Sequence, residues 1–145
     1  MDAAPVSPGL VLERHHLDEM VAHCLACFPE EGCGLLVGDG SAGRVVEVCP
    51  TANLAASAQV YTVDPRAHLR IDREAEEKGL SVIGVFPSHP HPDPYPSPTD
   101  VAQAPDPGWH YVLVSLRHEQ ASTRSFRIVD GNISEEAVVV SLGKI

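Results

Sequence analysis

The chain has 145 residues, 43% of them hydrophobic and 21% charged, with a net charge of −10 and a pI near 5.1. That is enough for one domain with its own core and too apolar for a disordered segment. The acidic balance excludes a basic nucleic-acid groove or a polybasic membrane patch. No apolar run is long enough to span a bilayer, and no basic-then-apolar leader opens the chain, so a cytoplasmic location is expected.

Residues 1–9 are small, proline-containing and unpatterned, and are expected to be a flexible end, with a single domain over residues 10–145. Leu10-Val11-Leu12 can form a short strand. From His16, the apolar residues Leu17, Met20, Val21, Cys24, Leu25 and Phe28 recur at offsets of three and four, which predicts an amphipathic helix ended by Pro29. Cys24 and Cys27 form a C-x-x-C pair, but it lies mid-helix rather than at a helix N-terminus, where thiolates are favoured. Reduced, packed thiols are the expectation, and a structural zinc held by Cys24, Cys27, Cys33 and Cys49 is the alternative. His15, His16 and His23 are expected to be solvated or capping groups.

The run Cys33–Gly38 reads as a buried strand, Asp39-Gly40 as a hairpin turn and Val45–Val48 as the return strand. Glu30 and Glu31 stand at the mouth of that strand. A loop over 51–59 and a strand over Val60–Val63 follow. Asp64-Pro65 opens a surface helix, with an apolar face through Leu69 and Ala75, capped by Gly79. Leu80–Phe86 is a buried strand, as is Trp109–Leu116. Ser125–Val129 and Ile133–Leu142 form a hairpin about Asp130-Gly131. The order predicts a mixed sheet with few helices, in the α/β (α+β) class.

Chemistry concentrates where the strand Leu80–Phe86 ends. Five prolines from Pro90 to Pro98 hold His89, His91 and Asp93 on a stiff extended path. Ser97-Pro98-Thr99-Asp100 then reads as a helix start with a serine N-cap and proline at the first helical position. Imidazole and carboxylate suit zinc. A metal hydrolase needs such ligands, a carboxylate base and an oxyanion donor. His89, His91 and Asp100 can supply the first, Glu31 the second, and the Ser97 hydroxyl or backbone N–H groups the third.

Over nearly all its length the chain resembles the JAMM (MPN-plus) zinc metallopeptidases. The residues that carry the resemblance are Pro29-Glu30-Glu31-Gly32-Cys33-Gly34, then His89, seven residues, and Ser97-Pro98-Thr99-Asp100. Tyr95-Pro96-Ser97, Trp109–Ser115 and Phe126–Gly131 are similar to the small bacterial branch, which includes a peptidase that removes cysteine from the C-terminus of a ubiquitin-like sulfur-carrier protein. The resemblance implies a single JAB/MPN-like domain, a curved mixed sheet flanked by helices with a cytidine-deaminase-like core. It implies Glu31 as catalytic base, Ser97 as oxyanion donor, and His89 and Asp100 as ligands of Zn2+. It also implies a ubiquitin-like sulfur-carrier protein ending in Gly-Gly as partner, with no nucleic acid or membrane; a homodimer is left open. The family's first metal histidine falls at Pro87, which cannot ligate. His91 can replace it by alternation along an extended chain, although only five residues then precede Ser97. Three readings follow: a peptidase with a remodelled ligand set, a metal-free protein-binding scaffold of the MPN-minus kind, or altered chemistry in the same pocket.

Overall fold

The computed structural model describes residues 9–28, 30, 32–55, 62–89, 108–116 and 122–141, with only the backbone of His89. The elements are β1 (Leu10–Glu13), α1 (Arg14–Cys27), β2 (Cys33–Asp39), β3 (Arg44–Thr51), α2 (Pro65–Glu77), β4 (Ser81–Val85), β5 (Ser88–His89), β6 (His110–Ser115), β7 (Ser122–Val129), β8 (Asn132–Glu136) and β9 (Val138–Ser141). The strands form one mixed sheet in the order β8-β7-β6-β4-β2-β3-β1-β9, with β5 paired to β6 beyond the end of β4. The expected α+β domain with a mixed sheet and few helices is what forms. The predicted helix from Pro98, the terminal segment 1–8, Val60 and Tyr61 lie outside the described residues.

Side chains alternate across the sheet, as extended backbone requires. Leu35, Val37, Val82, Val85, Tyr111, Leu113 and Phe126 pack on one face with Ile71 and Ala75 of α2. Leu10, Leu12, Leu36, Ile83, Phe86, Val112 and Val114 pack on the other with Met20 and Cys24 of α1. Each such side chain withdrawn from water contributes roughly 1.5–3 kcal/mol before entropy is counted. Two expectations change at the helices. Leu69 is exposed and Ile71 takes its place in the core, four residues before Ala75. On α1, Leu25 and Phe28 are exposed, while His16 is buried with Met20 and Cys24.

The segment Ile133–Leu142 is two strands rather than one. β8 ends at Glu136 and β9 begins at Val138, yet they occupy opposite ends of the sheet order. Consecutive Cα atoms are about 3.8 Å apart, so the sheet curls until its edges meet at Ala137, whose carbonyl accepts Leu10 N–H at 2.9 Å. Gly84 lets β4 approach β6, since a Cβ there would lie 2.4 Å from the His110 carbonyl oxygen. The Asp130-Gly131 turn has φ of 50° and 77°, the left-handed pair a tight hairpin demands. No helix among the described residues is long and apolar enough to cross a membrane.

His16 fastens the start of α1. Its Nδ1 accepts Glu13 N–H at 3.0 Å and its Nε2 lies 3.1 Å from the Val46 carbonyl oxygen, to which it donates. That pairing needs the neutral ring. Burial, with the charge of His15, holds its pKa below 6.5, outweighing the opposing pull of the Val46 carbonyl. The unfolded chain therefore takes up this proton first as pH falls. The stabilisation is complete above about pH 6.5 and is lost as pH drops through the lowered folded value. His16→Gln keeps an acceptor for the N-cap amide and cannot titrate. Denaturant midpoints measured from about pH 7.5 to pH 5 should fall less steeply in this variant than in the parent.

Candidate active site at the ends of β2, β5 and α1

The mouth of β2 is tied to β5 by two hydrogen bonds. Gly32 N–H donates to Ser88 Oγ at 2.7 Å, and Ser88 N–H donates to the Gly32 carbonyl at 2.8 Å. Two residues further in, Phe86 N–H donates to the Gly34 carbonyl at 3.0 Å. On its other side, β5 pairs with the end of β6, Ser88 opposite Val114 and His89 opposite Ser115. The last turn of α1 backs this junction: a Cβ on Gly32 would sit 3.1 Å from Cys24 Cα and 3.4 Å from Cys27 Cβ. A helix end, the start of β2 and the C-terminal ends of β5 and β6 thus meet in one place. The C-terminal ends of parallel strands are where open α/β sheets bind ligands.

Of the residues singled out by sequence, His89 is placed at the end of β5. Glu31, His91, Ser97 and Asp100 lie outside the described residues. The structure does place the covalent neighbours of Glu31 and His89, which are Gly32 and Ser88, in direct contact. The sequence alone assigns neither of them a role. The signal was a serine at the end of a buried apolar strand and a glycine directly after the carboxylates.

His23 braces the same corner. Its Nε2 lies 2.9 Å from the Cys33 carbonyl oxygen and 3.1 Å from that of Thr51, so this nitrogen carries the hydrogen and donates. It is thus a structural donor that joins α1 to β2 and β3, not a solvated group. None of the four cysteines is in a disulfide. Burial raises the Cys27 thiol, with Glu30 adding to the shift, and burial likewise raises Cys49. Cys27 is therefore not activated as a thiolate, in keeping with reduced, packed cysteines.

Two other polar groupings do not belong to the site. Glu13, His15 and His16 bring one ligand atom each within 4.8 Å of one another, the only such group of three among the described residues. Both nitrogens of His16 are already engaged with backbone, so it has no lone pair for a metal. His110 Nδ1 donates to Glu136 Oε2 at 2.5 Å, and Ser125 Oγ donates to the same oxygen at 2.6 Å. Burial pushes the Glu136 carboxyl up, but these two hydrogen bonds and the charges of His110 and Arg127 leave it below the usual range. His110 starts β6 whereas Ser115 ends it, so this cluster lies about 16 Å from the β5 junction. It braces the meeting edges of the sheet.

Zinc, which the resemblance implies, meets a donor set that differs from the family spacing. Pro87 is buried, has no side-chain donor, and spends its carbonyl on Val114 N–H at 3.1 Å. No ligand comes from that position. The imidazoles of His89 and His91 with the carboxylate of Asp100 are, in kind and number, a set that zinc accepts.

A curled mixed sheet with a helix on each face, and a candidate site at the strand ends beside the first helix, describe a JAB/MPN-type domain. A family model described as prokaryotic homologs of the JAB domain matches residues 13–129, and the chain belongs to this family. The CysO-cysteine peptidase of Mycobacterium tuberculosis is 37% identical over 132 residues, covering 90% of each chain. The probable TtuB-protein conjugate cleaving protease of Thermus thermophilus is 38% identical over 135 residues, covering 91% of this chain and 84% of that one. Among solved structures, a protein from Desulfitobacterium hafniense matches with a TM-score of 0.83 and 31% identity, over 91% of this chain and 92% of that one. A structure described as JAMM, a metalloprotease-like zinc site in the proteasome and signalosome, matches at a TM-score of 0.56 and 20% identity, over 90% of this chain and 97% of that one, and shows the shared fold.

The close packing at the junction is testable. A Cβ on Gly34 would lie 2.3 Å from Phe86 Cζ and 2.7 Å from the Cys49 carbonyl oxygen. Gly34→Ala should cost about 1–3 kcal/mol through overpacking, read as a lower denaturant midpoint at unchanged m-value. An unchanged midpoint would mean that the Phe86 ring yields freely.

Proposed function

We propose that this chain is a zinc-dependent peptidase that hydrolyses the peptide bond after the C-terminal Gly-Gly of a ubiquitin-like sulfur-carrier protein, releasing cysteine or a C-terminal extension. The observation that carries the reading is the paired hydrogen bonding of Gly32 with Ser88. It brings together the two segments whose next residues are Glu31 and His89. The names of the relatives, a CysO-cysteine peptidase and a TtuB-conjugate cleaving protease, support the substrate class.

In this reading His89, His91 and Asp100 hold the metal, with His91 in place of the histidine absent at Pro87. Zinc, when bound, makes water more acidic and polarises a carbonyl. Glu31 takes the proton from the attacking water and returns it to the leaving amine. Ser97 donates to the developing oxyanion. An extended tail suits a cleft at the ends of strands, where main-chain pairing supplies affinity and glycine passes a narrow opening.

One observation favours a second reading, a metal-free scaffold that binds the carrier without cleaving it: the buried Pro87 at a ligand position. Metal analysis separates the two. The peptidase reading expects one zinc per chain, retained in Glu31→Gln, with cleavage of a carrier–cysteine conjugate reduced at least 10²-fold in that variant by mass spectrometry. Cleavage unchanged in Glu31→Gln removes Glu31 from the mechanism, and a stable protein without zinc supports the scaffold. Pro87→His should tighten zinc by restoring a third imidazole, read by competition with a chelator; unchanged affinity would show that position 87 does not face the metal.

A further inference from the structure

We infer that Ser88 is a positioning residue for the reaction, holding the base-bearing segment in register with the metal-bearing one through its hydroxyl. The inference rests on the peptidase reading above and names a residue that reading does not use. Ser88 is fully buried, at 0% exposure. A buried hydroxyl is costly without a hydrogen-bond partner, and this one accepts Gly32 N–H at 2.7 Å. In an ordinary ladder that amide would donate to a strand carbonyl. Here a side-chain oxygen substitutes, so one of the two hydrogen bonds that place Gly32 depends on the rotamer of one serine.

Gly32 also has no room for a side chain. A Cβ there would be 3.1 Å from Cys24 Cα, 3.4 Å from Cys27 Cβ and 3.4 Å from Ser88 Oγ. The last turn of α1 and the serine hydroxyl together crowd and clamp the glycine. Glu31 is bonded to one side of this clamp and His89 to the other. A base displaced by even about 1 Å loses on the order of 10²-fold in rate. The hydroxyl thus acts on the base arm, while the metal arm keeps the β5–β6 pairing, to which the serine side chain does not contribute.

The test compares Ser88→Thr with Ser88→Val in the full-length protein. The two replacements have nearly the same shape and the same added methyl in a buried place, and differ in the hydroxyl. Ser88→Val should lose on the order of 10²-fold in kcat on a carrier–cysteine conjugate with KM little changed, and Ser88→Thr should recover most of that loss. Zinc stoichiometry should be equal in both. By hydrogen exchange the Gly32 amide should exchange at least about tenfold faster in the Val variant than in the Thr variant, because only the latter retains its acceptor. Should the added methyl unfold both, Ser88→Ala is read against the parent in the same assays. Equal kcat and equal Gly32 exchange in the Thr and Val variants would overturn the inference, as would loss of zinc in step with kcat, which would move the hydroxyl to the metal arm. A parent protein with no cleavage, or one whose Glu31→Gln variant cleaves normally, defeats the peptidase reading itself, and the positioning role falls with it.

Discussion

The contact between Gly32 and Ser88 is the constraint on which the rest of the site depends. Two short hydrogen bonds join the first residue before β2 to the first residue of β5. Residues 56 apart in sequence are thereby held side by side. Much of the neighbouring packing serves this junction. Gly34 has no side chain and so admits the Phe86 ring, and the end of α1 closes on Gly32. His23 ties α1 to the carbonyls of Cys33 and Thr51. A looser corner would leave the two motif segments free to drift, and hydrolysis tolerates little drift between a base and the water it activates.

Polar groups are buried at both ends of the strands, and the two ends do different work. At the closure end, His110, Ser125 and Glu136 form a short-range network beside Ala137, where the edges of the sheet meet. Charged groups withdrawn from water need such partners. At the opposite end, polar atoms converge on backbone amides and carbonyls at the β2–β5 junction, next to the residues to which chemistry is proposed. The His110 imidazole closes the fold, while the backbone of His89 marks where β5 ends. Composition alone assigns neither role.

Local pattern made most of the fold legible. Offsets of three and four gave α1 away, Asp64-Pro65 marked the start of α2, and Asp-Gly pairs marked both hairpins. The misses were non-local. Ile133–Leu142 reads as one strand, because nothing near Ala137 reports that the sheet curls round to meet itself. The exception is α2, where the signal was local: Ile71 lies one helical turn before Ala75, whereas Leu69, six residues before it, falls on another face. His16 caps the helix as one of the two expected roles, but it does so while buried, which requires Val46 from a distant strand as its second partner. The motif residues Glu31, Ser97 and Asp100 are assigned by spacing and resemblance and lie outside the described residues, while Ser88 stands out only through contacts across the sheet.

Membership of the prokaryotic JAB family and the buried proline at a ligand position pull in different directions. The proposed ligand set reconciles them, with a neighbouring imidazole in place of the missing one. X-ray absorption at the zinc edge of the metal-loaded protein tests that resolution most directly. The account predicts two imidazole nitrogens and a carboxylate oxygen within about 2.0–2.2 Å, with one further light ligand and no sulfur. A shell of sulfur at about 2.3 Å, or one containing only a single imidazole, would contradict it.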